Sequence, residues 1–391
     1  MEELNDLYDE IIALSGNKGE WSEIYIFLKL LVDGKIYVAD KNLNKIPDTY
    51  LNILDILREE VKDNVYDYKP GENITIYKNN VHVGPDLPTS EYTETIDSIW
   101  KYLSSFDKGT IQIPSANRFL SKIHVTKLKS PAFSNNIFFG GTEDITMKVS
   151  DYRSGMETAL GFSCKSDLSS ASTLFNASKD NTNFVYEITG PIDDSVVEHF
   201  NSMLDNKGHV AIKNRIQYLK SIGCDVRFIG PAVEPAKRNL ILSGGMEMPL
   251  IVGGLLKFYY WDNEASTAHS SVVDALKFVT SMDVAKYGLS NLDDIYARKI
   301  GTLLFDMFTG LRLATNWDGR ASVNGGYIIV KSNGEVLAYH TIIADQFKDF
   351  LLNSLAFDSP SVSRHKYMKI YNEDGKYKIK FNMQIRFKKF A

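Results

Sequence analysis

Three residues near the middle of the chain, Asp151, Ser163 and Lys165, place a carboxylate, a hydroxyl and an ammonium at the ends of two short apolar segments. The segment ITMKVSD ends in the aspartate, and the segment ALGFSCKS ends in the serine and the lysine. Because side chains alternate along a strand, Ser163 and Lys165 share one strand face. We therefore expect Asp151 and Lys165 to meet across the mouth of one hairpin, with Glu157 in its turn.

A carboxylate next to a lysine suits the hydrolysis of a phosphodiester. Mg²⁺ prefers hard oxygen ligands, lowers the pKa of a bound water and offsets charge on the phosphate, while a lysine stabilises the attacking water. The layout is that of the PD-(D/E)xK nucleases, in which an acidic residue lies two positions before the lysine. In this chain that position, two before Lys165, is Ser163. Another carboxylate must supply that charge, and Glu157, Glu20 and Glu23 are the candidates.

Two other interpretations of these residues stay open. Asp151 can simply begin a turn, because hairpins of this composition are common. Lys165 can also serve as the base for a nucleophilic Ser163, although neighbours on one strand face point in parallel.

The two cysteines, Cys164 and Cys224, cannot form a disulfide framework or a four-ligand zinc site unaided.

Length and composition indicate a folded globular protein. The chain has 391 residues, of which 44% are hydrophobic and 24% charged, so it is long enough for two or three structural units. The net charge of −5 does not itself indicate a nucleic-acid-binding protein. The N-terminus is acidic and no apolar run approaches about 18 residues, so we expect no signal peptide, no membrane span and a cytoplasmic protein.

The order of the predicted elements is mixed, which indicates an α+β or α/β fold. Helical periodicity is found in the first ten residues and in 19–34, 49–61, 92–105, 195–223, 270–284 and 292–311. The segments KIYVAD, ITMKVSD, ALGFSCKS and NFVYEIT predict strands. Hairpins are predicted around KNN (78–80), Asn333-Gly334 and Asp374-Gly375, and a buried helix with a turn in GGMEMPLIVGGLLKFYYWDN.

Positive charge is concentrated in Arg364–Lys389, which carries nine Lys or Arg and two acidic residues in a chain of net charge −5. Lys376, Lys378 and Lys380 alternate with apolar residues. This pattern predicts either a basic strand face that contacts phosphates or an edge strand protected by lysines.

The segment SRHK is better suited to reading bases than the lysine strand. Arginine donates two hydrogen bonds to the major-groove edge of guanine, so Arg364 is the first candidate, with His365 and Lys366 beside it. Arg320 and Asn324, next to a Gly-Gly pair, are weaker candidates for contacts with DNA.

Four segments, in order along the chain, resemble the HpaII-type family of Type II restriction endonucleases. They are NKGEWSEIYIFLKLLVDGKIYVADKNLNKI (17–46), DITMKVSDYRSGMETALGFSCKSDLSSASTLFNASKDNTNFVYEI (144–188), DGRASVNGGYIIVKSNGEVLAYH (318–340) and DSPSVSRHKYMKIYNEDGKYKIKFNMQIRF (358–387). Together they extend over most of the chain.

The resemblance implies a Mg²⁺-dependent cytoplasmic enzyme that cuts double-stranded DNA at a short palindrome, which is CCGG in family members, and leaves 5′-phosphate ends. Asp151 would be the metal-binding aspartate, Lys165 the catalytic lysine and Ser163 the degenerate acidic position. The segment NKGEWSE also resembles a helix of the mismatch-repair nicking endonucleases, which implicates Glu20 or Glu23 as a metal ligand.

The fold implied by the resemblance is a restriction-endonuclease-like core, a mixed central sheet flanked by helices, with helical and β-hairpin additions. We expect a helical region in 1–110 that contributes a helix to the active site, the nuclease core in 111–260, and DNA recognition in 261–391. A palindromic target suggests a homodimer, with a cognate DNA methyltransferase as a functional partner. A nicking or repair nuclease, or a non-catalytic DNA-binding protein with a degenerate site, are the alternatives.

Overall fold

The computed structural model describes residues 13–105, 109–129, 143–166, 172–205, 207–263 and 270–388. The helix predicted in the first ten residues lies outside these ranges. The helices are α1 (Lys18–Asp33), α2 (Thr89–Ser105), α3 (Pro114–Lys122), α4 (Asp194–Ser202), α5 (Ile212–Ser221), α6 (Glu234–Gly244), α7 (Met248–Lys257), α8 (Val272–Ser281), α9 (Asp293–Thr309), α10 (Ala344–Ser354) and α11 (Val362–His365). The strands are β1 (Ser15–Asn17), β2 (Lys35–Ala39), β3 (Lys45–Val61), β4 (Asn64–Lys69), β5 (Asn73–Lys78), β6 (Val81–His82), β7 (Leu87–Pro88), β8 (Thr110–Gln112), β9 (Ile145–Asp151), β10 (Glu157–Ser166), β11 (Thr173–Phe175), β12 (Asn183–Thr189), β13 (Asp225–Pro231), β14 (Gly325–Val330), β15 (Val336–His340), β16 (Leu355–Phe357), β17 (Tyr371–Glu373), β18 (Lys376–Asn382) and β19 (Ile385–Phe387).

The chain forms two compact units, and the first comprises Met1–Ser170 with Ser322–Phe347. Its main sheet has the order β2-β15-β14-β10-β9-β3-β4-β5-β6, with β7 paired to β5. The pairs β10–β14 and β15–β2 are parallel, whereas β9 is antiparallel to both β10 and β3. Because β2 also pairs with β3, the strands from β2 to β3 close into a ring. The sheet is therefore mixed, as predicted, and β10 lies between β9 and β14.

Helix α1 packs against this sheet, where it contacts β2, β3, β10 and β14. It begins with a capping box, in which the Asn17 side chain accepts hydrogen bonds from the backbone of Gly19 and Glu20, and the Glu20 carboxylate accepts one from the backbone of Asn17. It ends at Gly34, whose φ of 62° lies in the left-handed region that glycine adopts without a steric penalty. The predicted helix between Gly19 and Gly34 is confirmed.

The predicted helix over 49–61 is wrong, because these residues lie in strand β3. Leu51, Ile53 and Ile56 are all buried in the core, at spacings of two and then three residues. The pairing with β9 shifts its register between Ile53 and Asp55, which inserts one extra residue into the strand. This bulge returns Ile56 to the buried face and gives the sequence a spacing that resembles a helix.

The second unit comprises Ala171–Ala321 and Lys348–Ala391 and contains two small antiparallel sheets, β13-β12-β18-β17 and β11-β19-β16. The predicted Asp374-Gly375 turn joins β17 to β18, and both residues have the positive φ values of a two-residue hairpin. The predicted helix over 195–223 is instead two helices, α4 and α5, and a bridge between Leu204 and Val210 lies between them.

These boundaries differ from the predicted division into 1–110, 111–260 and 261–391. The first region is rich in strands as well as helices, and the chain leaves the first unit at Ala171 and returns to it for Ser322–Phe347. The hairpin β14–β15 was expected in the recognition region but belongs to the first unit, because β14 pairs in parallel with β10. A parallel partner more than 100 residues away cannot be identified from the alternation within one hairpin.

Within the described ranges, no single helix is long and apolar enough to span a membrane. Helices Glu234–Gly244 and Met248–Asp262 meet those criteria only as a pair, and the pair is bent by 108° at its break. Helix α7 buries most of its apolar side chains, including Ile251, Leu255 and Leu256. The predicted buried helix in this segment is confirmed.

Candidate active site

The pairing of β9 with β10 places Asp144, rather than Asp151, next to Lys165. The two strands are antiparallel, with Ile145 opposite Phe162. The backbone N–H of Asp144 donates to the carbonyl of Phe162 over 2.8 Å, and the backbone N–H of Cys164 donates to Asp144 Oδ2 over 2.7 Å. The carboxylate that precedes β9 is therefore bound to the end of β10 that carries the lysine.

The expectation that Asp151 meets Lys165 is wrong, because Asp151 lies at the turn end of the hairpin. Its backbone pairs with Met156, and its Oδ1 accepts a 2.8 Å hydrogen bond from the backbone of Arg153. Asp151 lies seven positions along the strand from Asp144, a distance of about 23 Å at 3.3 Å per residue. Glu157 is exposed and begins β10 at this same end, so it cannot replace the missing acid next to Lys165.

Hydrogen bonds satisfy the Asp151 carboxylate. Burial by itself would raise its pKa, but hydrogen bonds from the Arg153 side chain and backbone, together with the charge of Arg153 and the backbone of Ser154, outweigh burial and lower it. The carboxylate stabilises the turn between β9 and β10. This arrangement matches the interpretation in which Asp151 begins a turn.

Helix α1 places Glu23 near Asp144. Glu23 Oε2 is buried and has no hydrogen-bond partner among the described residues. Burial raises the pKa of Glu23 to about 8, and the charge of Asp144 adds to this rise, whereas the charges of Lys129 and Arg58 oppose it. Glu23 therefore has one buried carboxyl oxygen that receives no hydrogen bond from the described residues.

Burial raises the pKa of Asp144, and three neighbouring groups lower it. These groups are the ammonium of Lys165, the backbone N–H of Cys164 and the ammonium of Lys129, and the net pKa stays above its usual value. Desolvation, together with the charges of Asp144 and Glu23, raises the pKa of the half-buried Cys164 thiol well above its ordinary value.

Lys165 and Ser163 share a strand face, as predicted, and Ser163 is paired with Tyr327 of β14. Lys165 Nζ lies 5.3 Å from the centre of the Tyr327 ring. The ring contributes a cation–π contact that holds the ammonium without neutralising it.

Glu20 has a mainly structural role. One of its oxygens accepts a 2.8 Å hydrogen bond from the backbone of Asn17 in the capping box. Its other oxygen lies 3.8 Å from Lys129 Nζ. Both glutamates of α1 were predicted as metal ligands. Glu23 interacts electrostatically with the carboxyl group of Asp144, whereas Glu20 caps the helix.

Asp144 and Glu23 fit a hard divalent cation. Within the described ranges, no group of three or more His, Cys, Asp or Glu side chains is arranged to hold a metal ion. Mg²⁺ does not require such a group, because it keeps several waters and binds through one or two carboxylates and substrate phosphates. A buried carboxylate oxygen without a donor, next to a second carboxyl group, is a donor set of this kind.

Sequence reasoning missed Asp144 and Lys129. The signal for Asp144 was present, because antiparallel pairing brings the start of one strand to the end of the next. Asp144 begins the segment that ends at Asp151, so applying the hairpin register would have selected it. Lys129 had no sequence signal, because it comes from a segment that follows α3 and belongs to no motif.

Asn324 has a structural role between β10 and β14. Its side chain donates to the carbonyl of Ala159, and its own carbonyl accepts from the backbone of Gly161. A Cβ on the following Gly325 would lie 1.6 Å from the Gly161 carbonyl oxygen, so only glycine allows this approach. Asn324 therefore connects β14 to the strand of Lys165, and one of its two side-chain N–H groups is used in this contact.

The predicted DNA-reading residues of the second unit differ in exposure. Arg364 and Lys366 are exposed, and so is Arg320. His365 is buried, and its Nδ1 accepts a hydrogen bond from the backbone of Lys179. Burial, together with the charges of Arg364 and Lys179, lowers the pKa of His365. His365 connects two segments of the unit, and its contact with DNA stays a prediction.

The three lysines of β18 are bound within their sheet. The ion pairs are Lys376–Glu187, Lys378–Glu373 and Lys380–Asp180. β18 lies between β12 and β17 and is not an edge strand. Each lysine of the predicted basic face is therefore paired with an acidic side chain of the same sheet or of a neighbouring segment.

Comparison with known proteins assigns the chain to a family. The model of the HpaII restriction endonuclease family matches residues 17–387. The Type II restriction enzyme HpaII of Haemophilus parainfluenzae is 33% identical over 378 residues, which cover 95% of this chain and 98% of that enzyme. No solved structure matches the chain. Nearly the whole chain takes part in both matches, and it therefore belongs to the HpaII family of Type II restriction endonucleases, which are site-specific deoxyribonucleases.

Proposed function

We propose that this protein hydrolyses double-stranded DNA with Mg²⁺ at a short palindromic site of the CCGG type and leaves 5′-phosphate ends. The observation that carries the proposal is the grouping of Asp144, Glu23 and Lys165 at one end of the β9–β10 hairpin. In this arrangement, α1, β9 and β10 act as a PD-(D/E)xK-like core whose second acid comes from the helix instead of from Ser163.

Each residue of this group has a role in phosphodiester hydrolysis. Asp144 and Glu23 would hold Mg²⁺ through their carboxylate oxygens. When bound, Mg²⁺ lowers the pKa of a coordinated water and offsets the charge on the phosphate. The Lys165 ammonium orients the attacking water by a hydrogen bond and stabilises the negative charge on the phosphate oxygens. The cation would supply the partner that Glu23 Oε2 lacks among the described residues.

The recognition side of the proposal rests on exposed guanidinium groups. Arg364 and Arg320 are free to approach DNA, and an arginine that contacts guanine N7 and O6 discriminates against other bases. Lys366 adds a phosphate contact next to Arg364. A palindrome read in this way requires two copies of the chain, so we propose a cytoplasmic homodimer that acts with a cognate DNA methyltransferase.

Digestion of plasmid DNA tests the proposal. With Mg²⁺ we expect discrete linear fragments whose mapped ends share one short sequence and carry 5′-phosphates, and with EDTA we expect intact plasmid. Lys165→Ala, purified in the same way, should bind DNA and leave it uncut. Open circles without linear product would favour a nicking or repair nuclease. Binding without any cutting by the unaltered chain would favour a DNA-binding protein with a degenerate site.

Replacement of Arg364 by alanine tests recognition separately. We expect a loss of about 1–3 kcal/mol in preference for the target over random DNA, since one bidentate contact carries that much discrimination. Competition binding with target and random duplexes measures it, and Lys366→Ala is the matched control for a phosphate contact. An equal loss on both duplexes would show that Arg364 contacts only the backbone.

A further inference from the structure

We propose that Lys129 is a substrate-binding residue of this site, whose ammonium binds a backbone phosphate next to the scissile one. The inference rests on the proposed nuclease function and assigns a new contact to it. Lys129 Nζ lies 3.8 Å from Glu20 Oε1. Its positive charge lowers the pKa of both Glu23 and Asp144, so the ammonium lies within electrostatic range of both carboxyl groups.

Buried side chains hold the segment that carries Lys129. Glu60 Oε2 accepts hydrogen bonds from the backbone and the hydroxyl of Thr126 over 2.8 and 2.9 Å. Arg58 Nη2 donates to the carbonyl of Lys127 over 2.7 Å. Arg58 and Glu60 form an ion pair with 3% and 2% of their side chains exposed. Desolvating two charges is costly, and their hydrogen bonds to Thr126 and Lys127 connect this buried pair to the segment.

Apolar contacts fix the residue immediately before Lys129. Leu128 is buried in the core of the first unit. Leu128 also packs against the backbone of Gly16, since a Cβ built on Gly16 would lie 2.3 Å from Leu128 Cδ1. The backbone therefore has a defined position right up to Lys129, while 62% of the Lys129 side chain is exposed. An exposed ammonium on a fixed backbone is suited to meet an arriving ligand.

The contact with Glu20 is weak enough to be exchanged. Exposed ion pairs contribute about 0–1 kcal/mol, and at 3.8 Å this one is at the outer limit of such pairs. Glu20 does not depend on Lys129, because its other oxygen is bound in the capping box of α1. The lysine can therefore move to a phosphate without leaving a buried charge unpaired.

The charge balance of the site favours this exchange. A DNA strand brings its phosphates towards Asp144 and Glu23, which repel them. Lys165 acts on Asp144 from the end of β10, and Lys129 acts on it from the segment after α3. Two ammonium groups from separate segments can bind two successive phosphates, one at the cut and one next to it. Lysine suits this role because it binds phosphate as a point charge.

The test combines Lys129→Ala with duplexes that carry a single neutral methylphosphonate at each position around the cut site. We expect Lys129→Ala to weaken binding in EDTA and to slow Mg²⁺-dependent cleavage, each by about 5- to 20-fold, and to lower the salt slope of binding by about one phosphate contact. One methylphosphonate should weaken binding by the unaltered protein to the same degree, and have no further effect on the variant.

The control variant is Lys127→Ala, which removes an exposed ammonium from the same segment and keeps the backbone carbonyl bound by Arg58. It should bind and cut within about twofold of the unaltered protein. Lys129→Arg should restore most of the binding. The proposal is overturned if Lys129→Ala binds and cuts DNA as well as Lys127→Ala does. It is also overturned if the loss of binding caused by Lys129→Ala adds to the loss caused by a methylphosphonate at every position tested. Because binding is measured without metal, these outcomes are distinct from a failure of the unaltered protein to cut.

Discussion

The two ends of the β9–β10 hairpin each carry an aspartate, and they differ in how the protein treats its charge. At the turn end, the buried Asp151 receives hydrogen bonds from Arg153 and Ser154, and its pKa is lowered despite burial. At the open end, Asp144 and Glu23 share a site with too few donors, and the pKa of each is raised. The same residue type is structural at one end and available for chemistry at the other.

We therefore place the proposed site by the partners of each carboxylate and not by its position in a motif. Asp151 satisfies the pattern of an aspartate that ends an apolar strand, and its hydrogen-bond capacity is used in holding a turn. Glu23 Oε2 accepts no hydrogen bond among the described residues, and this destabilises the folded protein. Such a cost is retained where a ligand or a reaction supplies the missing partner.

Asp144→Asn should have the largest effect at the open end. Loss of this carboxylate removes a proposed Mg²⁺ ligand next to Lys165, so cleavage should fall by about 10³-fold or more. Single-turnover cleavage of a duplex that contains the mapped site measures the loss. Folding should be unaffected or improved, because Asp144 is a half-buried carboxyl group whose pKa is raised. Activity within tenfold of the unaltered protein would remove Asp144 from the site.

Glu23→Gln should reduce cleavage by about 10²-fold and also change how stability depends on pH. Glutamate in the unfolded chain ionises near its ordinary pKa of 4.5, whereas Glu23 ionises near 8 in the folded protein. The folded state therefore binds the extra proton in this interval, and its stability falls as the pH rises from about 4.5 to 8.

Glutamine has no charge to lose, so the variant should be more stable than the unaltered protein by roughly 2–4 kcal/mol at pH 8 and equally stable at pH 4. Urea unfolding at the two pH values measures this difference. A stabilisation of the same size at both values would mean that the effect comes from packing and not from the charge of Glu23.

Asp151→Asn should give the reverse result at the turn end. Cleavage should stay within about threefold, and stability at pH 7 should fall by about 1–3 kcal/mol because charge-assisted hydrogen bonds are lost. The pKa of Asp151 is lowered by folding, so its contribution is present above the unfolded pKa and disappears as the pH falls through the folded value. The two proteins should therefore converge in stability near pH 2. Loss of cleavage in a stably folded Asp151→Asn protein would contradict the comparison.

Ser163→Ala should have the smallest effect. Ser163 occupies the position of the missing acid, and the proposed site takes that charge from Glu23 instead. Cleavage should change by less than about threefold, as expected for the loss of one weak hydrogen bond. A loss as large as that of Lys165→Ala would support the alternative in which Ser163 is a nucleophile.

Much of the fold was predictable from periodicity, and the site was predictable in part. Strands β9, β10 and β12 and helix α1 follow from alternation and capping signals in the sequence. Lys165 was proposed from residue type and spacing, and Glu23 was one of three candidate acids; both roles remain predictions. The partner of Lys165 was not identified, because a carboxylate at each end of β9 satisfies the same pattern and only the hairpin register distinguishes them.

The remaining errors arise from contacts between distant segments. The extra residue in β3 gives a strand a helical spacing, and that bulge is defined by its pairing with β9. The burial of His365 depends on a hydrogen bond from Lys179, 186 residues earlier in the chain. The lysines of β18 have the composition of a basic face, but acidic residues on separate segments pair with them. Local sequence patterns do not encode these partners.

The parallel neighbour of β10 has a consequence for biosynthesis. Strand β14 begins at Gly325, so a ribosome completes β10 long before it has made the strand that lies beside it. A nascent chain folds progressively as it emerges, and until β14 is released one side of the lysine-bearing strand lacks its backbone partner. The sheet around β10 is therefore completed late in translation, and a chain truncated before Gly325 lacks the strand that lies beside the proposed catalytic lysine.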